Sequence, residues 1–330
     1  PSTPAPLPVA VSRAIARDQA YPQTIADIAV GTSLTVVAWE AAGAVLVSVY
    51  DNVTGAPYLA AADTGLSHCA QVRAVPMGDW IHVLSASTTD LEMVSVHASN
   101  PTVVRAGNTT FGNCDTYFDV RVIDDTSWAV VKRDTSDAAR LTYLNADGSA
   151  DESLCGANTA LGLGGGGANC GKLAFAIHPV TREVALIYEY ATDTLGDFFL
   201  NVVVYTAGGS TRGNINLDGY TSLGVRNLTI EATYLPVAEG KGQFTGAYDF
   251  KPSIGAATVT TFQATYTNVT AQDDYQHKLL SHHAFRVGHE VFLGIRNAYP
   301  SNGAGVQLSY FFVDRAMRPC GRLEPGTASF

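Results

Sequence analysis

Four histidines crowd one stretch of the chain: His282 and His283 are adjacent, with His277 and His289 a few residues away. Imidazoles at short spacing invite a metal ion. Neighbouring residues of a strand point to opposite faces, however, so His282 and His283 do not chelate together, and neither a cysteine nor an acid stands at ligand spacing. They are read as solvated or hydrogen-bonded side chains. The turn Asn145-Ala146-Asp147-Gly148-Ser149-Ala150-Asp151 matches the later part of an oxygen-ligand loop for calcium. Tyr143 stands where the first Asp belongs, and an Asp-Gly hairpin accounts for the same letters. Asp119 and Glu231 could serve as an acid–base pair for a hydrolase, which needs both within several ångströms of one ligand.

The five cysteines, Cys69, Cys114, Cys155, Cys170 and Cys320, include no CxxC pair, so a thiolate zinc or redox site has no basis. Cys155 and Cys170 flank Gly164-Gly165-Gly166-Gly167 and could be bridged, with free thiols the preferred reading. That glycine run lacks the Lys-Ser/Thr of a phosphate loop, and neither a Gly-x-Ser-x-Gly elbow nor a dinucleotide fingerprint occurs. Asn-x-Thr sequons stand at Asn52, Asn108, Asn227 and Asn268, where about two or three would arise by chance in so Thr- and Ser-rich a chain, and they say little about secretion. The expectation is a protein with no catalytic residue, no metal and no cofactor.

The elements that must position any site are strands. Val, Ile, Thr, Tyr and Phe alternate in short runs, and sustained apolar residues at helical spacing are hard to find. One phrase recurs six times, at a spacing of about 45 to 55 residues. Its first runs are residues 25–30, 71–75, 117–122, 172–177, 227–232 and 283–287. A second run follows at 34–39, 80–84, 128–131, 183–188, 243–248 and 290–295, and a third at 45–50, 91–96, 139–144, 198–205, 257–266 and 306–313. Polar turns such as Asp51-Asn52-Val53-Thr54-Gly55 then reverse the chain into a fourth strand. Cys69, Cys114 and Cys170 each stand just before a first strand, a shared position that suits a buried pocket between units.

Units of this size cannot bury both faces alone, and radial packing of four-stranded sheets solves the problem. The predicted fold is all-β, a six-bladed β-propeller of four-stranded antiparallel blades. Residues 1–24, with Pro1, Pro4, Pro6 and Pro8, are read as an extended N-terminal linker. The blades are placed at 25–68, 69–113, 114–169, 170–224, 225–280 and 281–330, together making the propeller of 25–330. Since the chain opens on Pro1, it is read as part of a longer polypeptide. The innermost strands offer Asp27, Arg73, Asp119, Arg121, Lys172, Glu231 and Arg286 as channel-lining polar residues. Their alternating charges are read as walls that neutralise one another.

No run is apolar for the roughly 18 residues a membrane helix needs, so no membrane anchor is expected. The formal net charge of −10 argues against a surface that grips nucleic acid.

The segment Val47-Ser48-Val49-Tyr50-Asp51-Asn52-Val53-Thr54-Gly55, the repeated third strands ending in polar turns, and the Thr- and Ala-rich composition resemble propeller domains in tail proteins of short-tailed bacteriophages, of the nozzle or tail-hub type. WD-repeat and kelch families fit less well, because their Trp-Asp and Gly-Gly signatures do not recur. The resemblance implies a structural virion protein, located in the phage tail. Copies would form a ring, contact adaptor, fibre or tip proteins, and let DNA pass without tight binding. The alternative is a propeller lectin or adhesin, with Tyr220, Tyr234, Tyr275 and Tyr299 as stacking residues for a sugar or receptor.

Overall fold

The computed structural model describes residues 26–323 apart from 68–70, 87–88, 107–110, 115–116, 137, 164–169, 192–197, 220–224, 233–243, 254–255, 265–268, 278, 288–289, 299–305 and 314–318. Side-chain surroundings are described mainly for residues 27–214. The predicted linker lies outside the described residues.

Among the described residues, the chain folds into six four-stranded sheets. The first runs β1 (Ala26–Val30), β2 (Leu34–Ala41), β3 (Ala44–Asp51) and β4 (Pro57–Ser67), paired in chain order. The second is β5 (Gln71–Met77), β6 (Trp80–Ala86), β7 (Leu91–His97) and β8 (Asn100–Ala106). The third comprises β9 (Phe118–Val122), β10 (Ser127–Arg133), β11 (Ala139–Asn145) and the short β12 (Thr159–Leu161). The fourth holds β13 (Cys170–Ile177), β14 (Val184–Ala191), β15 (Phe198–Tyr205) and β16 (Thr211–Gly219). The fifth holds β17 (Val225–Ala232), β18 (Phe244–Ser253), β19 (Ala256–Ala264) and β20 (Val269–His277). The sixth holds β21 (Leu279–Val287), β22 (Glu290–Ala298), β23 (Val306–Val313) and β24 (Pro319–Leu323). Each of the three-strand phrases read from the sequence therefore lies in its own sheet.

Tight hairpins set the registers. Between β2 and β3 only Ala42 and Gly43 remain unpaired, both at positive φ (52° and 86°), which is the two-residue turn whose twist matches the strands. The Glu40 carboxylate accepts the Gly43 N–H at 2.8 Å and fixes that turn.

The chain forms two compact units, one reaching to Val130 and including Thr142–Asn158, the other made of Val131–Leu141 and the residues from Thr159 onward. In the first unit the second sheet is packed on both faces. One face meets the first sheet through Val36, Ala38, Val45, Val47 and Val49 against Val72, Ile81, Val83, Val94 and Val96, all buried. The other meets the third sheet through Val75, Met77, Leu84 and Met93 against Phe118, Trp128, Val130 and Leu144, with Cys114 buried among them. Each fully buried Val, Leu or Met contributes about 1.5–3 kcal/mol, so these two layers hold the stack. First strands neighbour first strands: β1 with β5 and β5 with β9. In the second unit the same order recurs, with β13 beside β17 and β17 beside β21. Sheets stacked in series through their first strands are the packing of propeller blades. Among the described residues no helix is long and apolar enough to cross a membrane.

Candidate binding site

The polar residues of the first strands come first. Asp27 is half-buried on β1; one carboxylate oxygen accepts the Ala74 N–H of β5 at 2.9 Å and the other accepts the Ile28 N–H at 2.9 Å. Arg73 donates to the Val72 carbonyl at 3.0 Å. Asp119, buried on β9, accepts from Arg121 at 3.0 Å and from the Val120 N–H at 2.9 Å, while Arg121 also donates to the Val120 carbonyl at 2.8 Å. Lys172 is half-buried on β13. Glu231 on β17 faces Thr245 across the ladder and Arg286 on β21 faces Val291, with both side chains outside the description. A residue the sequence reading did not single out, Gln71, clips β5 to β9: its amide donates to the Phe118 carbonyl at 2.8 Å and accepts the Phe118 N–H at 3.2 Å. These groups bond mainly to backbone and to one another. Asp27 and Gln71 join neighbouring sheets.

Among the described residues no three His, Cys, Asp or Glu side chains gather as a metal site requires. His277, His282, His283 and His289 have side chains outside the description. The Asn145–Asp151 segment is a hairpin turn, with Gly148 N–H bonded to the Asn145 carbonyl at 2.9 Å and Asp147 accepting the Ser149 N–H and hydroxyl at 2.9 and 2.6 Å. Those bonds from Ser149 hold the Asp147 carboxyl below its usual range.

That turn leads to the densest group of functional side chains described. Alternation along β6 puts Trp80 and His82 on one face, and along β7 it puts Ser95 and His97 on the same face. The ladder pairs Trp80 with His97, His82 with Ser95, and Ser95 with Arg105 of β8. The rings of Trp80 and His82 lie 6.1 Å apart at 11°, and those of His82 and Trp128 lie 5.0 Å apart at 14°, so three rings stand in file. His97 meets Trp80 edge-on at 4.4 Å, and the Arg105 guanidinium lies 5.8 Å from the Trp80 ring centre. Such a cation on an indole face is worth about 0.5–1 kcal/mol at an exposed site.

His82 is the buried anchor of the file, with no exposed surface. Its Nε2 donates to the Ala146 carbonyl at 2.8 Å, since a carbonyl only accepts, and its Nδ1 then accepts the Ser95 hydroxyl at 2.8 Å. Burial pushes the imidazole below the usual histidine range, against the opposing pull of the Ala146 carbonyl and the Asp147 carboxylate. The Trp128 indole N–H donates to the Asn145 carbonyl at 2.9 Å, so the first two residues of the 145–148 turn are tied to this file. At the outer end Trp80 and His97 are half-buried and Arg105 is exposed. The Ser99 N–H donates to His97 Nδ1 at 3.1 Å, which puts the His97 proton on Nε2. An indole, an imidazole N–H and a guanidinium thus share one rim of the second sheet, on rigid strands.

The sequence reading placed its aromatic contacts elsewhere, at Tyr220, Tyr234, Tyr275 and Tyr299. Of these, Tyr220, Tyr234 and Tyr299 lie outside the described residues, and Tyr275 sits on β20 opposite Val259. The signal for the observed group was present in the alternating letters of Trp80-Ile81-His82 and Ser95-Val96-His97. It needed the β6–β7 register to be recognised.

No family model and no curated protein matches the chain. Its fold is similar to solved propellers. A lectin from Burkholderia pseudomallei shares 12% identity and a TM-score of 0.58, with 93% of this chain and 85% of that one covered. The AofleA protein of Arthrobotrys oligospora gives 13% identity and a TM-score of 0.51, covering 94% and 87%. The WD40 domain of Toxoplasma gondii coronin gives 10% identity and a TM-score of 0.50, covering 91% and 70%. The chain is an all-β protein of the β-propeller class.

Proposed function

We propose that this chain is a non-catalytic binding module, a propeller of six blades closed around an axis, which takes a glycan at the rim of its blades. The Trp80–His97–Arg105 group carries this reading. Sugars are held by an aromatic surface with hydrogen-bond donors fixed beside it, and that mixture stands here on paired strands. The likeness to a propeller named as a lectin supports the ligand class. The Asp119 carboxylate, an acid that hydrolysis would require, is engaged by Arg121 and the Val120 N–H, which supports a non-enzymatic role. A glycan array probed with the labelled protein tests the proposal: binding to a restricted glycan set is expected, weakened by Arg105→Ala and by Trp80→Ala. Absence of binding across a broad array contradicts it.

The second reading is a scaffold, and the tail nozzle or hub of a short-tailed phage is the form that the sequence resemblance implies. The clips of Asp27 onto Ala74 and of Gln71 onto Phe118 favour it, because they commit polar side chains to joining sheets. Electron microscopy of the native particle tests this reading: rings of the chain on a virion support it, and free monomers contradict it.

A further inference from the structure

We infer that Arg105 is an anion-binding group and that the glycan bound beside it is acidic, carrying a carboxylate or a sulfate ester; the inference rests on the glycan-binding reading above. Arg105 lies over the Trp80 ring, 5.8 Å from its centre. The Trp80 ring lies nearly parallel to His82 at 6.1 Å, and His82 nearly parallel to Trp128 at 5.0 Å. The inner rings are buried and tied to the 145–148 turn by the His82–Ala146 and Trp128–Asn145 hydrogen bonds. The file therefore presents a rigid indole to the guanidinium.

At 5.8 Å from the ring centre the guanidinium is within reach of cation–π attraction, which favours a placement of the long Arg105 side chain near the indole. Its N–H donors lie in the plane of the group. The exposed guanidinium offers a planar fork of donors, the geometry that matches the paired oxygens of a carboxylate or sulfate. His97 supplies a further N–H against the same indole, because its Nδ1 is occupied as an acceptor by the Ser99 N–H. Charge points the same way. In a chain of net charge −10, an exposed arginine posed on a Trp face provides a local positive spot, which a neutral sugar does not need and an acidic one does.

The test compares matched ligands. Isothermal titration would use a glucuronate-containing oligosaccharide against its methyl ester, and a sulfated oligosaccharide against its desulfated form, each with the wild-type chain, Arg105→Ala and Arg105→Lys. The expected result is that one acidic member binds about tenfold or more tightly than its neutral partner. Arg105→Ala should abolish that preference, and Arg105→Lys, which keeps the charge without the fork, should restore only part of it. Tryptophan emission should shift on binding. Equal binding of acidic and neutral members, or a preference that survives Arg105→Ala, overturns the inference while sparing the glycan reading. Failure of every glycan to bind overturns both.

Discussion

Gly148 shows how one residue fixes the distance between two sheets. Its φ is +84°, and a Cβ built there would stand 2.7 Å from Met93 Cε and 3.1 Å from His82 Cε1. Met93 can swing away, but the His82 ring, held by two hydrogen bonds and two indoles, cannot. Gly148→Ala is therefore expected to destabilise the fold by about 1–3 kcal/mol, from left-handed backbone strain together with the contact. Urea denaturation would show it as a lower midpoint with unchanged slope. An unchanged midpoint would mean that the turn does not bear on His82. The Asp-Gly pair was readable from the sequence as a turn. Its landing place on a buried histidine of the neighbouring sheet was not, because only the packing of sheets brings residues 82 and 148 together.

At the scale of elements, the second sheet is held by apolar layers on both faces, and His82 is the titratable group inside one of them. Packed against it are Ser95 from β7, the turn carrying Ala146 and Asp147, and the rings of Trp80 and Trp128; His97 and Arg105 lie against Trp80. Its folded pKa is lowered, so between that value and the unfolded value near 6.5 the unfolded chain binds the extra proton. Stability is full above about pH 6.5 and falls as the pH drops beneath it. Denaturation at about pH 7 and pH 5 should show the wild-type chain losing more stability than His82→Gln. Equal losses would remove His82 from the account. Strand positions were legible here, since short Val- and Leu-rich runs such as Leu91–Val96 end in polar turns. Pairing registers were not, and the ring file depends on them: a slip of one residue would send Trp80 and His82 to the opposite face.

For the whole molecule, six similar sheets raise the question of whether repetition serves architecture or ligand number. The residues that recur are apolar strand positions, and those at the candidate site do not: Trp80, His97 and Arg105 belong to the second sheet alone. A fold repeats for packing, and a site is grafted onto it locally. The acidic surround also opposes long-range approach of an acidic ligand, so association should quicken with moderate salt even as the final contact weakens. Calorimetric stoichiometry with an array-selected glycan distinguishes one grafted site from a site on every sheet. About one site per chain is predicted, lost in Arg105→Ala while the fold persists. A stoichiometry near six, or full binding by that variant, would contradict a single grafted site on a repeated scaffold.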